Sequence, residues 1–408
     1  MIKHPGGRFA MVAGEPSGDL LAASVLRGLP DDVRVEGIGG PAMQGEGMHV
    51  LRPMHALTVF GYVDALKRLP TLIGTYRHVR DTWLRQPPDV FVGVDAPDFN
   101  LRMELALRRA GVPTVHFVGP SIWAWRYERI HRIREAVSHM LVMFPFEEEL
   151  YQKEGVPVTY VGHPLAREIP LVPDRVAARD HLGLSHDNRV LALMPGSRAS
   201  EVALLGPRFL QAAQQLLKRD PKLQVVVPMV NAERRREFEA LLRSHPVPGC
   251  RIIDALPSLN PLRPAPRDEF ALRRAGWPVG WLAMEAADAV LVASGTATLE
   301  AALFKRPMVI SYVLSPWMRR LMAWKSGQDK PYLPWVGLPN ILLRDFAAPE
   351  LLQEAATPEA LAEETWRALT DETRTLESVE RFTDMHHTLR RDTPTLAARA
   401  ILAEAERA

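Results

Sequence analysis

Two acidic side chains that follow an apolar run are the clearest candidates for chemistry in this sequence. Asp95 and Asp98 close the stretch DVFVGVDAPDFN, residues 89–100. The apolar run predicts a strand buried on both faces, and Asp95 would stand at its carboxyl end, where α/β proteins hold reactive groups. A carboxylate there can accept a proton from a hydroxyl group, so we interpret Asp95 as a catalytic base. Asp98, followed by Phe99, is interpreted as the N-cap of a helix.

A second candidate site is the stretch LMPGSRASE, residues 193–201, at a predicted strand-to-helix turn. Gly196 and Ser197 offer backbone and hydroxyl groups to a phosphate, and Arg198 can bind one through two parallel hydrogen bonds. Glu201 completes the motif and is assigned to the same site. An arginine beside a helix N-terminus can stabilise a departing diphosphate without a metal ion. The alternative is a surface arginine at a helix start.

A similar turn occurs in the stretch ASGTATLE, residues 293–300. Ser294, Gly295 and Thr296 are small residues that suit phosphate groups or ribose hydroxyls, and Glu300 lies about one turn into the predicted helix. Glu300 could accept hydrogen bonds from ribose. One such loop is a weak signal, but two loops on strands of one domain can hold a single nucleotide diphosphate between them.

The first predicted strand also ends in a glycine-containing turn, AGEPSGD at residues 13–19. Gly14 and Gly18 let the backbone approach a ligand, and the helix that follows offers free N–H groups to an anion beside Glu15 and Ser17. The turn matches neither the GxGxxG fingerprint nor the P-loop. An ordinary strand-to-helix turn, with Ser17 or Asp19 capping the helix, is the alternative.

Aromatic and basic residues follow in the stretch PSIWAWR, residues 120–126, which includes Trp123 and Arg126. The arginines at 129, 132 and 134 come directly after it and could hold a phosphate group of a substrate. Tryptophan is also a common core residue, so the indoles alone do not indicate a site.

Residues 58–73, TVFGYVDALKRLPTLI, carry an amphipathic pattern in a locally basic region. The residues near one predicted helical face are Val59, Val63, Leu66, Leu69, Leu72 and Ile73. A basic amphipathic helix can lie on an anionic membrane or cover acyl chains. The alternative is an ordinary core helix, and the pattern alone does not decide between them.

The composition limits the remaining possibilities. The chain has 408 residues, 24% charged, with a net charge of +2, which does not suggest a nucleic-acid partner. The single cysteine, Cys250, excludes a disulfide within the chain and indicates a reducing compartment. No signal peptide and no long apolar run is visible, so we expect a cytoplasmic protein, free or on a membrane surface. The histidines His116 and His163 stand near strand ends and are interpreted as structural.

Short apolar runs alternate with helical patterns along the chain, which predicts an α/β fold with parallel sheets. The rhythm pauses over Leu165–Asp174 and then restarts. We therefore predict two Rossmann-like domains, residues 1–168 and 175–356, facing a cleft, with C-terminal helices over 357–408 packing back on a domain surface. The proline-rich segment Pro257–Trp281 breaks the pattern and is interpreted as a long loop or lid.

Taken together, these motifs resemble the lipid-A-disaccharide synthase family. The matching stretches also include PFEEELY at 145–151, VGHP at 161–164, VPMVNA at 227–232 and LPNIL at 338–342. The likeness keeps motif order and spacing through nearly the whole chain.

The resemblance implies a fold of the GT-B type, UDP bound mainly by the C-terminal domain, and no metal or other cofactor. It implies transfer from UDP-2,3-diacylglucosamine to 2,3-diacylglucosamine 1-phosphate, with inversion, in the lipid A (lipopolysaccharide) biosynthesis of Gram-negative bacteria. It also implies peripheral binding to the cytoplasmic face of the inner membrane and a homodimer formed by C-terminal domain exchange. By matched motif, Asp95 is the essential aspartate, Arg198, Glu300 and Asn340 bind the nucleotide, and the 57–73 helix contacts the membrane.

Two other classes stay open. A different UDP-sugar enzyme of this architecture, an epimerase or the transferase of lipid-linked peptidoglycan precursors, would share the nucleotide loops. A non-catalytic nucleotide or lipid carrier would bind ligands without releasing UDP, and the carboxylate of Asp95 would then be dispensable.

Overall fold

The structure, a computed structural model, describes residues 7–57, 62–253, 274, 277–315, 317–320 and 332–407, with only the backbone of residues 62–69. The chain divides into two compact units. The first unit comprises Met1–Pro164 with Leu389–Ala408, and the second comprises Leu165–Thr388. The C-terminal segment 357–408, predicted as one group of helices, is therefore shared between the two units.

The strands and helices alternate along the chain, as the apolar rhythm predicts. The strands are β1 Arg8–Ala13, β2 Arg34–Gly39, β3 His49–Pro53, β4 Val90–Val94, β5 Thr114–Phe117, β6 His139–Val142, β7 Val158–Tyr160, β8 Val190–Met194, β9 Gln224–Pro228, β10 Arg251–Ile253, β11 Ala289–Ala293, β12 Met308–Tyr312 and β13 Glu350–Leu352. The helices are α1 Pro16–Leu26, α2 Pro41–Gly45, α3 Tyr62–Arg85, α4 Pro97–Arg109, α5 Arg129–Ala136, α6 Pro145–Lys153, α7 Leu165–Glu168, α8 Arg175–Leu182, α9 Ala199–Arg219, α10 Ala232–Ser244, α11 Val279–Ala286, α12 Thr296–Leu303, α13 Leu338–Leu343, α14 Pro358–Thr370, α15 Glu372–Leu389 and α16 Thr393–Ala405. Short 3₁₀ turns occupy Met54–Ala56 and Gln353–Ala355.

The first unit is built on a seven-stranded parallel sheet in the order β3-β2-β1-β4-β5-β6-β7. Its central strands are apolar because helices cover both faces of the sheet. Every residue of β4 is buried, and five of the six residues of β1 are buried. The C-terminal helix α16 returns to this unit, where Ala397 and Ile401 join the core beside α1. Gly28 permits this approach, because a Cβ there would lie 2.5 Å from the carbonyl oxygen of Pro394.

The second unit is built on a six-stranded parallel sheet in the order β10-β9-β8-β11-β12-β13. The amphipathic helix α9 buries Val202, Leu205, Phe209 and other residues against this sheet. Helix α14 packs beside α9 and adds Leu361 and Ala362 to the same core. One apolar core thus holds the strands that carry the second candidate site.

The predicted fold class is confirmed, with two parallel sheets, helices around each, and helices at the C-terminus. Two strands were not predicted from the sequence, β3 and β13. Both stand at a sheet edge and are only partly buried, so their sequences lack the apolar run of a central strand. Among the described residues, no helix is long and apolar enough to cross a membrane.

Candidate active site

The first sheet changes direction between β1 and β4, which are paired in parallel from Phe9↔Val90 to Ala13↔Val94. From β1 the strand order continues through β2 to β3 on one side, and from β4 it continues through β5 and β6 to β7 on the other side. Connections leave such a switch point towards opposite sides, which opens a crevice at the carboxyl ends of the two strands. The turns after β1 and β4 carry Glu15 and Asp95, so both predicted residues lie at this crevice.

The turn at Asp95 has an unusual backbone. Asp95 and Ala96 have φ angles of 53° and 43°, in the left-handed region that L-residues rarely adopt. Each such residue costs about 1–2 kcal/mol, so the turn needs support from its surroundings. The backbone N–H of Asp95 donates to the carbonyl of Phe117 at 2.8 Å. The buried amide of Asn100 donates to the carbonyl of Asp95 at 2.7 Å and to that of Val94 at 3.3 Å.

Asp95 follows β4 at this crevice but is not itself among the residues that line the cavity described below, whereas the next residue, Ala96, is. The Asp95 side chain is partly exposed, and no described residue donates a hydrogen bond to its carboxylate. A carboxylate without an internal partner is available to a ligand as a hydrogen-bond acceptor or a base. Asn100, which fixes this arrangement, was not predicted as a functional residue, because its partners are backbone carbonyls that the sequence does not reveal.

Asp98 does not cap helix α4, contrary to the prediction. Ala96 is the N-cap, and Asp98 lies in the first helical turn with its side chain 88% exposed. It forms an ion pair of 3.1 Å with Arg129. Its charge still suits the positive end of the helix dipole.

The β1–α1 turn is organised differently from the prediction as well. Glu15 is the N-cap of α1, and no side chain caps that helix. The buried carboxylate of Asp19 instead accepts the backbone N–H groups of Gly40 at 2.8 Å and Ala42 at 2.9 Å, at the start of α2. Ser17 is exposed and Gly18 is buried. Asp19 is therefore a structural residue that fixes the loop beside the crevice.

A cavity of about 970 Å³ opens beside this turn within the first unit. Its lining combines the two switch-point turns with helices α3, α4 and α5. The lining residues are Gly14, Glu15, Pro16, Leu57, Leu72, Ile73, Tyr76, Ala96, Pro97, Asp98, Phe99, Arg102, Leu105, Ala106, Arg109 and Arg132. Tyr76 and Phe99 meet edge to face in its wall, with ring centroids 5.6 Å apart. This volume is at the upper end of the range for small-molecule sites, and most of the wall is apolar.

Three arginines line the same cavity. Arg102 and Arg109 stand two turns apart on one face of α4, with Leu105 and Ala106 between them, and Arg132 belongs to α5. All three are exposed, and none forms an ion pair with a described carboxylate. We call them the arginine rim. A set of unpaired guanidinium groups beside an apolar wall suits a ligand with both an anionic group and hydrocarbon.

Of the residues predicted for this site, Asp95, Ser17, Gly18, Trp123 and Arg126 do not line the cavity. The indole N–H of Trp123 donates to Glu147 at 3.2 Å, and its ring packs edge to face on Phe146 at 5.4 Å. Trp123 thus anchors its loop to α6. Arg126 points elsewhere, with its guanidinium 3.8 Å from Glu128. The prediction that Trp123 and Arg126 contact the ligand directly is not supported by their positions.

The predicted membrane-facing helix is present as α3. Leu72 and Ile73 line the cavity, and the Ile73 side chain is 42% exposed. Val59 lies outside the described residues, as do the side chains of Val63, Leu66 and Leu69. The last two apolar residues of the predicted amphipathic segment, Leu72 and Ile73, thus form part of the apolar cavity wall.

The second unit has the same arrangement at its own switch point, between the paired strands β8 and β11. The turns after these strands are those predicted to bind the diphosphate. A cavity of about 480 Å³ lies there. Its lining residues are Met194, Gly196, Ser197, Arg198, Glu201, Pro228, Val230, Trp277, Pro278, Val279, Gly280, Ala293, Ser294, Gly295, Thr296, Ala297 and Glu300. The two predicted loops are thus brought together.

Within this cavity, the carboxylate of Glu201 accepts hydrogen bonds from the backbone N–H groups that were expected to bind a phosphate. One carboxylate oxygen of Glu201 accepts the backbone N–H groups of Ser197 at 3.0 Å and Arg198 at 3.2 Å. Gly196 makes this possible, because a Cβ there would lie 2.4 Å from the carboxylate. The Arg198 guanidinium contacts Glu201 at 3.2 Å but is 79% exposed, so it can reach a ligand.

The opposite loop offers the backbone groups that the first loop does not. At the first turn of α12, no described residue accepts the N–H groups of Thr296 and Ala297. These donors and the helix dipole face the cavity, as an anion site requires. Ser294 contacts the carbonyl of Val336 at 3.4 Å. Burial raises the pKa of the Glu300 carboxyl, which favours a protonated side chain that can donate as well as accept.

Asn340 does not line the cavity, so the prediction that it contacts the nucleotide is corrected here. Its side chain is fully buried, with its amide donating to Ala348 and to Glu350 at 2.8 Å each. Its oxygen accepts the N–H of Ala348 at 2.9 Å. Every polar atom of the side chain is therefore used to hold the loop before β13, and none is left for a ligand.

The end of the proline-rich segment forms one wall of this cavity, through Trp277, Pro278, Val279 and Gly280. Just before it, buried Arg274 forms two contacts of 2.6 Å with Glu285 of α11. The Arg274 guanidinium also lies 5.0 Å from the centroid of the Trp277 ring. Trp277 was not predicted as a site residue, and its ring packs edge to face on Trp281 of α11, with centroids 5.3 Å apart, which fixes the indole at the cavity. Residues 257–273 and 275–276 of the proline-rich segment lie outside the described residues.

Comparison with known proteins agrees with these observations. A family model described as lipid-A-disaccharide synthetase matches residues 9–247 and 280–402. Lipid-A-disaccharide synthase of Bordetella petrii is 69% identical over 396 residues, which cover 97% of each chain. Lipid-A-disaccharide synthase of Azoarcus sp. is 49% identical over 399 residues, 97% of this chain and 95% of the relative.

Solved structures of low sequence identity share the fold. MurG of Acinetobacter baumannii has a TM-score of 0.55 at 14% identity, covering 98% of this chain and 100% of that one. UDP-GlcNAc 2-epimerase of Neisseria meningitidis, bound to UDP-GlcNAc, has a TM-score of 0.56 at 12% identity, covering 98% and 99%.

The two parallel sheets, each with a cavity at its switch point, define the class as an α/β protein of the GT-B architecture. The match over nearly the whole chain then decides the family. The chain belongs to the lipid-A-disaccharide synthase family.

Proposed function

We propose that the protein transfers 2,3-diacylglucosamine from UDP to the 6-hydroxyl of 2,3-diacylglucosamine 1-phosphate. The products are UDP and a β-1,6-linked disaccharide 1-phosphate, formed with inversion at the anomeric carbon. The observation that carries this proposal is the partly exposed Asp95 carboxylate, to which no described residue donates a hydrogen bond, beside an apolar cavity with an arginine rim. A base, hydrocarbon-binding walls and anion-binding groups are the features that a phosphorylated, acylated acceptor requires.

The acceptor would use the first unit's cavity in two ways. Its acyl chains contact Leu72, Ile73 and Leu105, and each buried methylene contributes roughly 0.8 kcal/mol. Its phosphate binds the arginine rim, where no described carboxylate competes for the guanidinium groups. A soluble sugar would gain nothing from the apolar wall, which favours this substrate over that of an epimerase.

The nucleotide sugar would use the second unit's cavity. Its diphosphate accepts hydrogen bonds from Arg198 and from the free amides at the start of α12, with Glu300 near the ribose. In the chemical step, Asp95 accepts the proton of the 6-hydroxyl while the hydroxyl oxygen bonds to the anomeric carbon. The bond from that carbon to the β-phosphate breaks, and UDP leaves with the electron pair, its charge offset by Arg198.

The test mixes purified protein with UDP-2,3-diacylglucosamine, with and without the acceptor, and measures UDP release and the lipid product by mass spectrometry. We expect UDP release only when both substrates are present, together with a disaccharide whose linkage is β-1,6. UDP release without the acceptor, or conversion of the sugar to an epimer, would contradict the proposal.

We further propose that the protein binds the anionic, cytoplasmic face of the inner membrane through α3. The exposed residues Ile73, Arg77 and Arg85 support this, because they combine apolar and basic groups on one helix. Sedimentation with vesicles should show binding to phosphatidylglycerol that weakens at high salt, and weak binding to phosphatidylcholine. Equal binding to both lipids would contradict an electrostatic contribution.

Two further expectations follow from the resemblance and remain predictions. Catalysis is expected without a metal cofactor, and activity measured after treatment with EDTA tests this. A homodimer that exchanges C-terminal domains is expected in solution, and light scattering of the purified protein measures its mass.

A further inference from the structure

A buried acid–imidazole pair lies beneath the turn that carries Asp95. Nδ1 of His116 and Oε1 of Glu104 are 2.7 Å apart, and both side chains are 0% exposed. His116 belongs to β5 and Glu104 to α4, so two elements that pack on β4 supply the pair. The pair has no role in the reaction as described so far.

The backbone register places this pair next to Asp95. Gly93, two residues before Asp95, is paired with His116, and the N–H of Asp95 donates to the next residue of β5, Phe117. A Cβ at Gly93 would lie 2.3 Å from Oε1 of Glu104. Glycine at this position is therefore what lets the carboxylate lie against the strand and reach His116.

The pair is incompletely satisfied. Nε2 of His116 and Oε2 of Glu104 are buried and have no hydrogen-bond partner among the described residues. Each unsatisfied buried polar atom costs about 1–3 kcal/mol, so a purely structural contact would be better made by apolar side chains. An orphaned nitrogen in a native core needs an explanation other than stability.

Two charged groups, Glu104 and Asp95, and one backbone carbonyl act on His116. Burial acts to lower the pKa of His116, but Glu104 raises it, and the Asp95 carboxylate and the Val118 carbonyl raise it further, so the net direction is upward. For Glu104, burial raises the pKa and His116 partly offsets this. The Asp95 carboxylate is therefore one of the groups that favour the imidazolium form of His116.

We propose that Glu104 and His116 form a positioning pair whose imidazolium keeps Asp95 ionised when the acylated acceptor fills the cavity. Hydrocarbon from the substrate displaces water from beside Asp95, and a less polar environment favours the protonated acid. A protonated Asp95 cannot accept the proton of the acceptor hydroxyl. The imidazolium of His116, which Glu104 holds in its charged form from the α4 side, opposes this effect without occupying the cavity itself.

This inference rests on the proposed transferase activity, and pH profiles distinguish the two. The pH dependence of kcat reports the enzyme with substrate bound, and that of kcat/KM reports the free enzyme. In His116→Gln and Glu104→Gln, we expect the acid limb of kcat to move up by about one pH unit, as expected for loss of a nearby opposite charge. The acid limb of kcat/KM should move less, because water still surrounds Asp95 in the free enzyme.

Thr114→Val is the matched control. Thr114 is buried on the same strand, two residues before His116, and its hydroxyl donates to Ala136 at 2.7 Å. This variant should lose stability but keep the wild-type acid limb. Acid limbs of kcat that coincide with wild type in both His116→Gln and Glu104→Gln would overturn the inference, provided that wild type is active. An inactive wild type would instead refute the proposed function.

A second measurement is made on the wild-type protein and does not depend on turnover. Histidine ¹⁵N NMR of the wild-type protein, with the His116 signal assigned by its loss in His116→Gln or by contact with Glu104, reports the imidazole's protonation. We expect a doubly protonated ring at neutral pH. A neutral ring at neutral pH would overturn the inference.

Discussion

The side-chain amide of Asn100 donates a hydrogen bond of 2.7 Å to the backbone carbonyl of Asp95, across the first turn of α4. This bond helps hold two successive left-handed residues, Asp95 and Ala96, in place. The turn that carries Asp95, the proposed base, is thus held by a buried residue that does not itself line the cavity.

Asn100→Ala should release this turn. We expect a loss of about 1–3 kcal/mol of stability, because buried carbonyl groups lose their donor, and at least a tenfold lower kcat. UDP binding should be unchanged, since the proposed nucleotide site lies in the second unit. Thr357→Ala, which removes the N-cap hydrogen bond of α14, is the control and should lower stability alone. Wild-type kcat in Asn100→Ala would show that the turn needs no such support.

Arg198→Ala should weaken UDP binding. The guanidinium is 79% exposed at the cavity, and a hydrogen bond to a charged group contributes about 1.5–3 kcal/mol, so Kd should rise roughly tenfold to a hundredfold. Titration calorimetry with UDP measures this. Arg219→Ala, at the other end of α9, should bind UDP as wild type does. An unchanged Kd in Arg198→Ala would exclude contact with the diphosphate.

Arg109→Ala tests the arginine rim. Loss of one cation should raise KM for the acceptor about tenfold and leave KM for the nucleotide sugar unchanged. Arg134→Ala removes an exposed arginine of α5 that does not line the cavity, and should have little effect. Steady-state kinetics with each substrate varied in turn distinguishes these outcomes. A change in the nucleotide-sugar KM alone would place the acceptor phosphate elsewhere.

Glu147, which anchors Trp123, should make stability depend on pH. Burial raises the pKa of its carboxyl from the ordinary 4.5 to about 7. The folded state therefore binds more protons between these values, and the stability that Glu147 contributes is present below pH 4.5 and lost as pH rises to 7. The free energy of unfolding of wild type should fall between pH 4.5 and pH 8 by on the order of 3 kcal/mol more than that of Glu147→Gln. Chemical denaturation of both proteins across this range measures it, and parallel curves would contradict the assignment.

The central strands and their turns could be predicted from the sequence, because burial on both faces leaves an uninterrupted apolar run. The run VFVGV of β4 is the clearest case, and it led directly to Asp95. The same argument located both loops of the second unit's cavity. These predictions were possible because the turn that carries the site residues directly follows the strand in the sequence.

Residues whose role depends on distant partners could not be predicted in this way. Trp123 bonds to Glu147, 24 residues later, and the amide of Asn340 bonds to Glu350, 10 residues later. Neither the PSIWAWR motif around Trp123 nor the LPNIL motif around Asn340 shows whether the side chain contacts a ligand or another residue of the protein. The partners of Asn100 are backbone carbonyls on two strands, and Glu104 needs the space above Gly93 to reach His116, so only the fold shows what these side chains do.

Asp95→Asn tests the central claim, that this carboxylate is the base. Asparagine has nearly the same shape and tolerates left-handed backbone, so the turn should persist. We predict unchanged binding of the UDP-sugar by calorimetry and a kcat lowered by about 10²–10⁴-fold, the usual contribution of a general base. Asp31→Asn, an exposed aspartate of the same unit, should keep wild-type turnover. Turnover of Asp95→Asn close to that of wild type would contradict the mechanism.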